Sequence, residues 1–74
     1  MNNINREKLS YAIQVHNEGK ESLAEKLYKE ILETNEVHPD ANHNLAFLYF
    51  NQNKIKESKK YIDKVINTKY PLKE

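Results

Sequence analysis

The stretch "HPDANHNLAFLYF", His38 to Phe50, decides how this chain reads. Proline and aspartate open it as they open a helix. The first helical residue needs no hydrogen-bonded N–H, and an early carboxylate suits the positive end of the helix dipole. From Leu45 to Phe50 no polar residue interrupts. A helix lying on a protein surface shows a single apolar stripe. This one needs cover on more than one side, from other elements of the chain or from a partner.

Working outward, a period emerges. Sliding the sequence by 34 residues aligns its two halves without a gap. Tyr11 falls on Leu45, Ala12 on Ala46, Val15 on Tyr49, Gly19 on Asn53 and Lys20 on Lys54. Ala24 then falls on Ser58, Tyr28 on Ile62, Ile31 on Val65 and Leu32 on Ile66. Size and polarity match through two helical faces and the turn between them. Repetition at this spacing is the mark of a stacked repeat.

Each unit predicts a helical hairpin. A first helix over about Asn5–Glu18 carries Leu9, Ala12, Ile13 and His16 at helical spacing, with Tyr11 and Val15 beside them. Gly19 ends it, because glycine accepts the left-handed conformation; Asn53, the next most tolerant type, takes that place in the second unit. The return helix, about Glu21–Thr34, presents Leu23, Ala24, Leu27, Tyr28, Ile31 and Leu32 as one stripe. The opening stretch is the third helix, to about Gln52. The fourth, about Ile55–Thr68, uses Ile55, Ser58, Tyr61, Ile62, Val65 and Ile66, and Pro71 opposes its continuation. No segment alternates with period two, so strands are not expected.

Composition narrows the function classes. At 74 residues the chain makes one small domain at most. No apolar run is long enough to cross a bilayer, and MNNINREKLS has no basic start followed by an apolar run, so no secretory signal is visible. Without cysteine there is neither a disulfide framework nor a thiolate metal site. A cytoplasmic location is the expectation. Net charge is only +1, although Asn51–Glu74 holds seven lysines against three acids.

The paired positions Tyr11/Ala12 and Leu45/Ala46, the turn residues Gly19 and Asn53, the small Ala24 and Ser58, and the bulky Tyr28 and Ile62 resemble the tetratricopeptide repeat family. "AIQVHNEGKESLAEKLYKEILETNEVHPDANHNLA" looks like the bacterial form found beside glycosyltransferase, sulfotransferase and methyltransferase domains. The resemblance implies an all-α fold of two tandem helix-turn-helix hairpins, four antiparallel helices in a short right-handed solenoid. Residues 5–38 form the first repeat and 39–70 the second, with tails at 1–4 and 71–74. The pattern is not complete. Lys8 and Asn42 sit where the family often has tryptophan or another large residue, and Glu36 replaces a usual proline.

By resemblance, such modules bind proteins, holding a peptide or partner helix on a concave wall made by the first helix of each repeat. Carried onto this chain, that wall comprises Arg6, Leu9, Ile13, His16 and Asn17, then Asp40, His43, Asn44, Phe47, Phe50 and Asn51. Leu9, Ile13, Phe47 and Phe50 supply apolar contact, and Asn17, His43, Asn44 and Asn51 supply hydrogen bonds. Leu45, Ala46 and Tyr49 are expected to face the hairpin core. The family's carboxylate clamp is not expected, since only Asn44 matches it. Phe47 and Phe50 are open to cover by Tyr70-Pro71-Leu72, by a second copy or by a foreign ligand. A second repeat with nothing stacked on it would expose Tyr61, Ile62, Val65 and Ile66, so self-association as a homodimer or a larger protein partner is expected there.

Other chemistries find little support. His16, His38 and His43 show no paired spacing with a carboxylate, so no metal is expected. No glycine-rich phosphate loop or nucleophile constellation is present; neither an enzyme nor a cofactor is expected. Lys54, Lys56, Lys59, Lys60 and Lys64 suit a solvated helix face, with no arginine or exposed aromatic among them to read or stack bases. A basic nucleic-acid adaptor is therefore the weaker alternative. An accessory element recruiting substrate to a glycosyl-, sulfo- or methyltransferase is the stronger one.

Overall fold

The computed structural model describes the backbone of residues 3–69 and the side chains of residues 5–66. Four helices follow one another: α1 (Asn3–Asn17), α2 (Glu21–Thr34), α3 (Pro39–Asn51) and α4 (Ile55–Lys69). The described residues contain no strand. The fold is all-α, α1 packing on α2 and α3 on α4 as two hairpins. The expected tail cover by Tyr70-Pro71-Leu72 lies outside the described residues.

The 34-residue period is visible in the backbone. Gly19 has φ 86° and Asn53 φ 64°, both left-handed. Around Gly19, its own N–H donates to His16 O at 3.0 Å and the Lys20 N–H to Val15 O at 2.9 Å. Around Asn53 the same two bonds recur, Asn53 N–H to Phe50 O at 3.0 Å and Lys54 N–H to Tyr49 O at 2.9 Å. Each hairpin therefore turns through a Schellman motif, which satisfies the last carbonyls of one helix and launches the next. The start of α3 is capped from the side: His38 Nδ1 accepts from the Ala41 N–H at 3.2 Å, with Pro39 in the first turn.

α3 answers the question its sequence raised. It is the one helix that meets all three others. Ala41, Asn42, Leu45, Ala46, Leu48 and Tyr49 are all buried along it, closed on one side by the α1–α2 hairpin and on another by α4. Below it the core holds Ala12, Val15, Ala24, Tyr28 and Ile31. Ala12 and Ala24 are fully buried with no side chain beyond Cβ, so the first hairpin closes tightly there. In the second hairpin Ser58 stands in for Ala24 and donates its Oγ proton to Ala46 O at 2.8 Å, which keeps a hydroxyl tolerable at a close crossing.

Two of the three departures from the repeat pattern, Lys8 and Asn42, have structural work. Lys8 Nζ lies 3.0 Å from Glu30 Oε1, joining α1 to α2. Asn42 is fully buried; its Nδ2 donates to Glu36 O and to His38 O, each at 3.0 Å, and so ties the link between the hairpins to α3. Its Oδ1 has no partner among the described residues.

One expectation is corrected. Tyr11, placed beside the core by its match to buried Leu45, is 49% exposed. Leu45 is covered because the first hairpin lies against it; no described element lies on the corresponding side of α1.

Candidate functional site

Exposed apolar surface is concentrated on the second hairpin. Phe47 and Phe50 are 54% and 58% exposed, although the residues between them, Leu48 and Tyr49, are buried. Their exposure follows from helical geometry: positions 47 and 50 sit one turn apart, on the side of α3 away from both α2 and the core. Together with His43 and Ala46 of α3 and Ser58 and Ile62 of α4, they line an open hollow of about 200 Å³. Along α4, Ile55 and Ile66 are also exposed; spaced i, i+7, i+11 with Ile62, they continue the same apolar strip.

The sequence-derived wall does not form one surface. Leu9 and Asp40 line a separate, larger hollow of about 520 Å³ with Asn5, Arg6, Thr34, Asn35 and His38, at the junction of α1, the end of α2 and the start of α3. That hollow is polar apart from Leu9. Ile13 and Asn17 are exposed on α1, and Asn51 is exposed at the end of α3, whereas Asn44 is half-buried. His16 is half-buried, its Nδ1 3.0 Å from the Tyr28 hydroxyl and its ring 6.2 Å from that of Phe47. His16 thus serves the buried tyrosine on one side and supports Phe47 on the other.

The four residues expected on an open end divide as well. Ile66 is exposed, and Ile62, half-buried, lines the hollow. Val65 is buried, and Tyr61 is half-buried against Tyr49, ring centroids 5.7 Å apart, so these two belong to the packing of α4 on α3 within the second hairpin. On a helix, 61 and 65 share one face while 62 and 66 share the next. Ile55, Ala46 and Ser58 are the members of this surface that sequence reasoning passed over. The spacing of the three isoleucines was the available signal.

Electrostatics supports the scaffold more than the hollow. The Tyr49 hydroxyl donates to Glu25 Oε2 at 2.6 Å, and Lys29 Nζ approaches the same oxygen at 3.2 Å. The bond from Tyr49 is the main reason that the Glu25 carboxyl is held below its usual range. Burial pushes Tyr28 and Tyr49 up to about 12. Lys54 lies 5.7 Å from the centre of the Tyr49 ring; Lys60 and Lys64 lie 5.5 and 5.2 Å from that of Tyr61. Lys59 pairs with Asp63 at 2.9 Å. Most of the lysine run therefore has local partners on and beside α4, while Lys56 is exposed.

Among the described residues no group of three or more His, Cys, Asp or Glu is placed to hold a metal ion, and no helix is long and apolar enough to cross a membrane. Compared with models of known families, with curated proteins and with solved structures, the chain matches none of them.

Proposed function

We propose that this chain is a non-enzymatic protein-interaction module of the tetratricopeptide type, which docks a protein segment on the surface presented by α1 and α3. The observation that carries the proposal is the pair Phe47 and Phe50, more than half exposed on a helix whose other apolar residues are all buried. Aromatic side chains held rigid at a surface supply large contact area at low entropic cost, and exposed apolar patches mark interfaces. The 34-residue period, the two matching turns and the small residues at both hairpin crossings support the family assignment.

Phe47 is the anchor in this account. It stands at the meeting of α3 with His16 of α1 and lines the hollow on the second hairpin. His43 lines the same hollow, and Ile13 and Asn17 of α1 with Asn44 and Asn51 of α3 offer one further apolar side chain and a set of donors and acceptors. Leu9 and Asp40 lie apart from it, with Arg6, in the second hollow.

Selection of binders from a random peptide display library tests this proposal. Enriched peptides should lose at least tenfold in affinity for Phe47→Asp, with helicity unchanged by circular dichroism. A library that yields no peptide sensitive to Phe47→Asp would overturn it. Recruitment of substrate to a transferase is the second reading, favoured by the resemblance of the first repeat to transferase-associated repeats.

A further inference from the structure

We infer that the strip formed by Phe50, Ile62 and Ile66 is covered by the same strip of a second copy, in a two-fold dimer joined through its second hairpins. The inference rests on the interaction-module reading and names the occupant of the far end of that surface.

The chain contains its own example of how such a face is filled. Moved back by 34 residues, Ala46, Ser58 and Ile62 become Ala12, Ala24 and Tyr28, all fully buried in the core. The second hairpin offers the corresponding face with nothing described upon it. What fits there is a helix pair of similar size with an apolar side.

Two candidate faces of a second copy can be compared. On α1, the positions matching the covering side of α3 are Glu7, Tyr11, Gln14 and Glu18, all exposed, with Gln14 Nε2 donating to Glu18 Oε2 at 3.3 Å. Stacking that face onto the phenylalanines would strip water from the Glu7 carboxylate, which has no ion pair among the described residues, and from the Glu18 carboxylate, paired at 3.3 Å with Lys20, an unfavourable exchange. A head-to-tail chain of copies is thereby disfavoured. The tail face is apolar and matches itself.

Charge at its edge points the same way. Lys59 and Asp63 flank the isoleucine strip on α4, one turn apart and of opposite sign. An isologous contact sets residue i against j and j against i. Antiparallel α4 helices can therefore exchange these two partners across the two-fold axis, Lys59 of each copy meeting Asp63 of the other. The strip supplies the apolar centre and the Lys59–Asp63 pair supplies the register.

Light scattering of the full chain over a concentration series tests the inference, with Phe50→Asp, Ile66→Lys and the head-face variant Tyr11→Asp alongside. The wild-type mass should double with concentration. Phe50→Asp and Ile66→Lys should each raise the dissociation constant at least tenfold with helicity retained, and Tyr11→Asp should leave it unchanged. Because residues 50 and 66 are already exposed in the single chain, their substitution leaves its core intact. A wild-type chain that stays monomeric overturns the dimer, as does a dimer indifferent to both tail variants or one lost in Tyr11→Asp. Peptide selection on the wild-type chain and on Ile66→Lys keeps the two proposals apart: a wild-type chain that is monomeric yet takes a Phe47-dependent peptide overturns the dimer and leaves the interaction module standing. A tail-dependent dimer that takes no peptide does the reverse.

Discussion

The Tyr49 hydroxyl donates a 2.6 Å hydrogen bond to Glu25 Oε2, joining α3 of the second hairpin to α2 of the first. Gln52 Nε2, just past the end of α3, makes a second link to Glu21 Oε1 at 2.9 Å, one turn nearer the start of α2. The hairpins are therefore held by polar bonds at the edge of an apolar contact.

This bond should make stability depend on acid. The Glu25 carboxyl is held below 4.5 chiefly by Tyr49, with Lys29 adding to it and burial opposing. A carboxyl whose folded pKa lies below its unfolded value adds stability above the unfolded value, and that stability is lost as pH falls through the folded one. Tyr49→Phe should cost about 1 to 2 kcal/mol at neutral pH. The deficit should shrink as pH drops below about 4. Urea unfolding of both proteins across that range checks it; a deficit independent of pH would show that the bond does not favour the ionised carboxylate.

The alkaline limb has the opposite sign. Tyr28 and Tyr49 are raised from 10.0 to about 12, burial being the leading cause for each. Their contribution is complete below the unfolded value of about 10 and is lost as pH rises toward 12. Tyrosinate absorbance and helicity should then change together in that window. Early ionisation of all tyrosines without unfolding would contradict it.

Asn42 is expected to be sensitive to charge. Its Nδ2 faces two carbonyl oxygens in a site closed to water. Asn42→Asp sets a carboxylate against those oxygens and should cost about 3 kcal/mol or more. Asn42→Leu removes the two bonds and should cost about 1 to 3 kcal/mol. Chemical denaturation gives both values. A neutral Asn42→Leu would mean that the link does not depend on this side chain.

The two turns differ in a way that can be improved. Asn53 holds φ 64° with a side chain, where Gly19 holds φ 86° without one. Asn53→Gly should raise stability by up to about 1 kcal/mol, and Asn53→Ala should lower it by a similar amount. For a chain of this size, about 1 kcal/mol moves the melting temperature by roughly 4–8 °C. An Asn53→Gly protein that melts lower would show that the asparagine side chain contributes more than its backbone tolerance.

Close packing sets the last expectation. Ala24 is fully buried at the crossing of α1 and α2, against the core that includes Ala12 and Val15. Ala24→Leu should cost about 1 to 3 kcal/mol by forcing the helices apart. Ser58→Ala, which loses one bond to Ala46 O and no volume of consequence, should cost about 1 kcal/mol. Equal effects of the two would argue against a tight first hairpin.

Much of this molecule was legible in the residues themselves. The helices, their order, the left-handed Gly19 and Asn53 and the cap at Pro39 all follow from local preferences, which act over a few residues and leave a pattern in sequence. The 34-residue period fixed the pairing of helices into hairpins, because each unit must bury the same stripe. Which apolar residues remain exposed is legible only in part: the resemblance places Phe47 and Phe50 on an open wall, whereas tertiary structure decided the exposure of Tyr11 and the burial of Val65. Phe47 and Leu48 are adjacent and similar in sequence, yet one is open and the other closed, because burial depends on what lies across from a side chain. For the same reason Tyr11 is exposed where its repeat partner Leu45 is covered, Val65 turns inward beside exposed Ile66, and Leu9 and Phe50 line different hollows. Asn42, polar and unremarked by periodicity, became a core residue once the link between the hairpins folded back over it and offered two carbonyls to its amide.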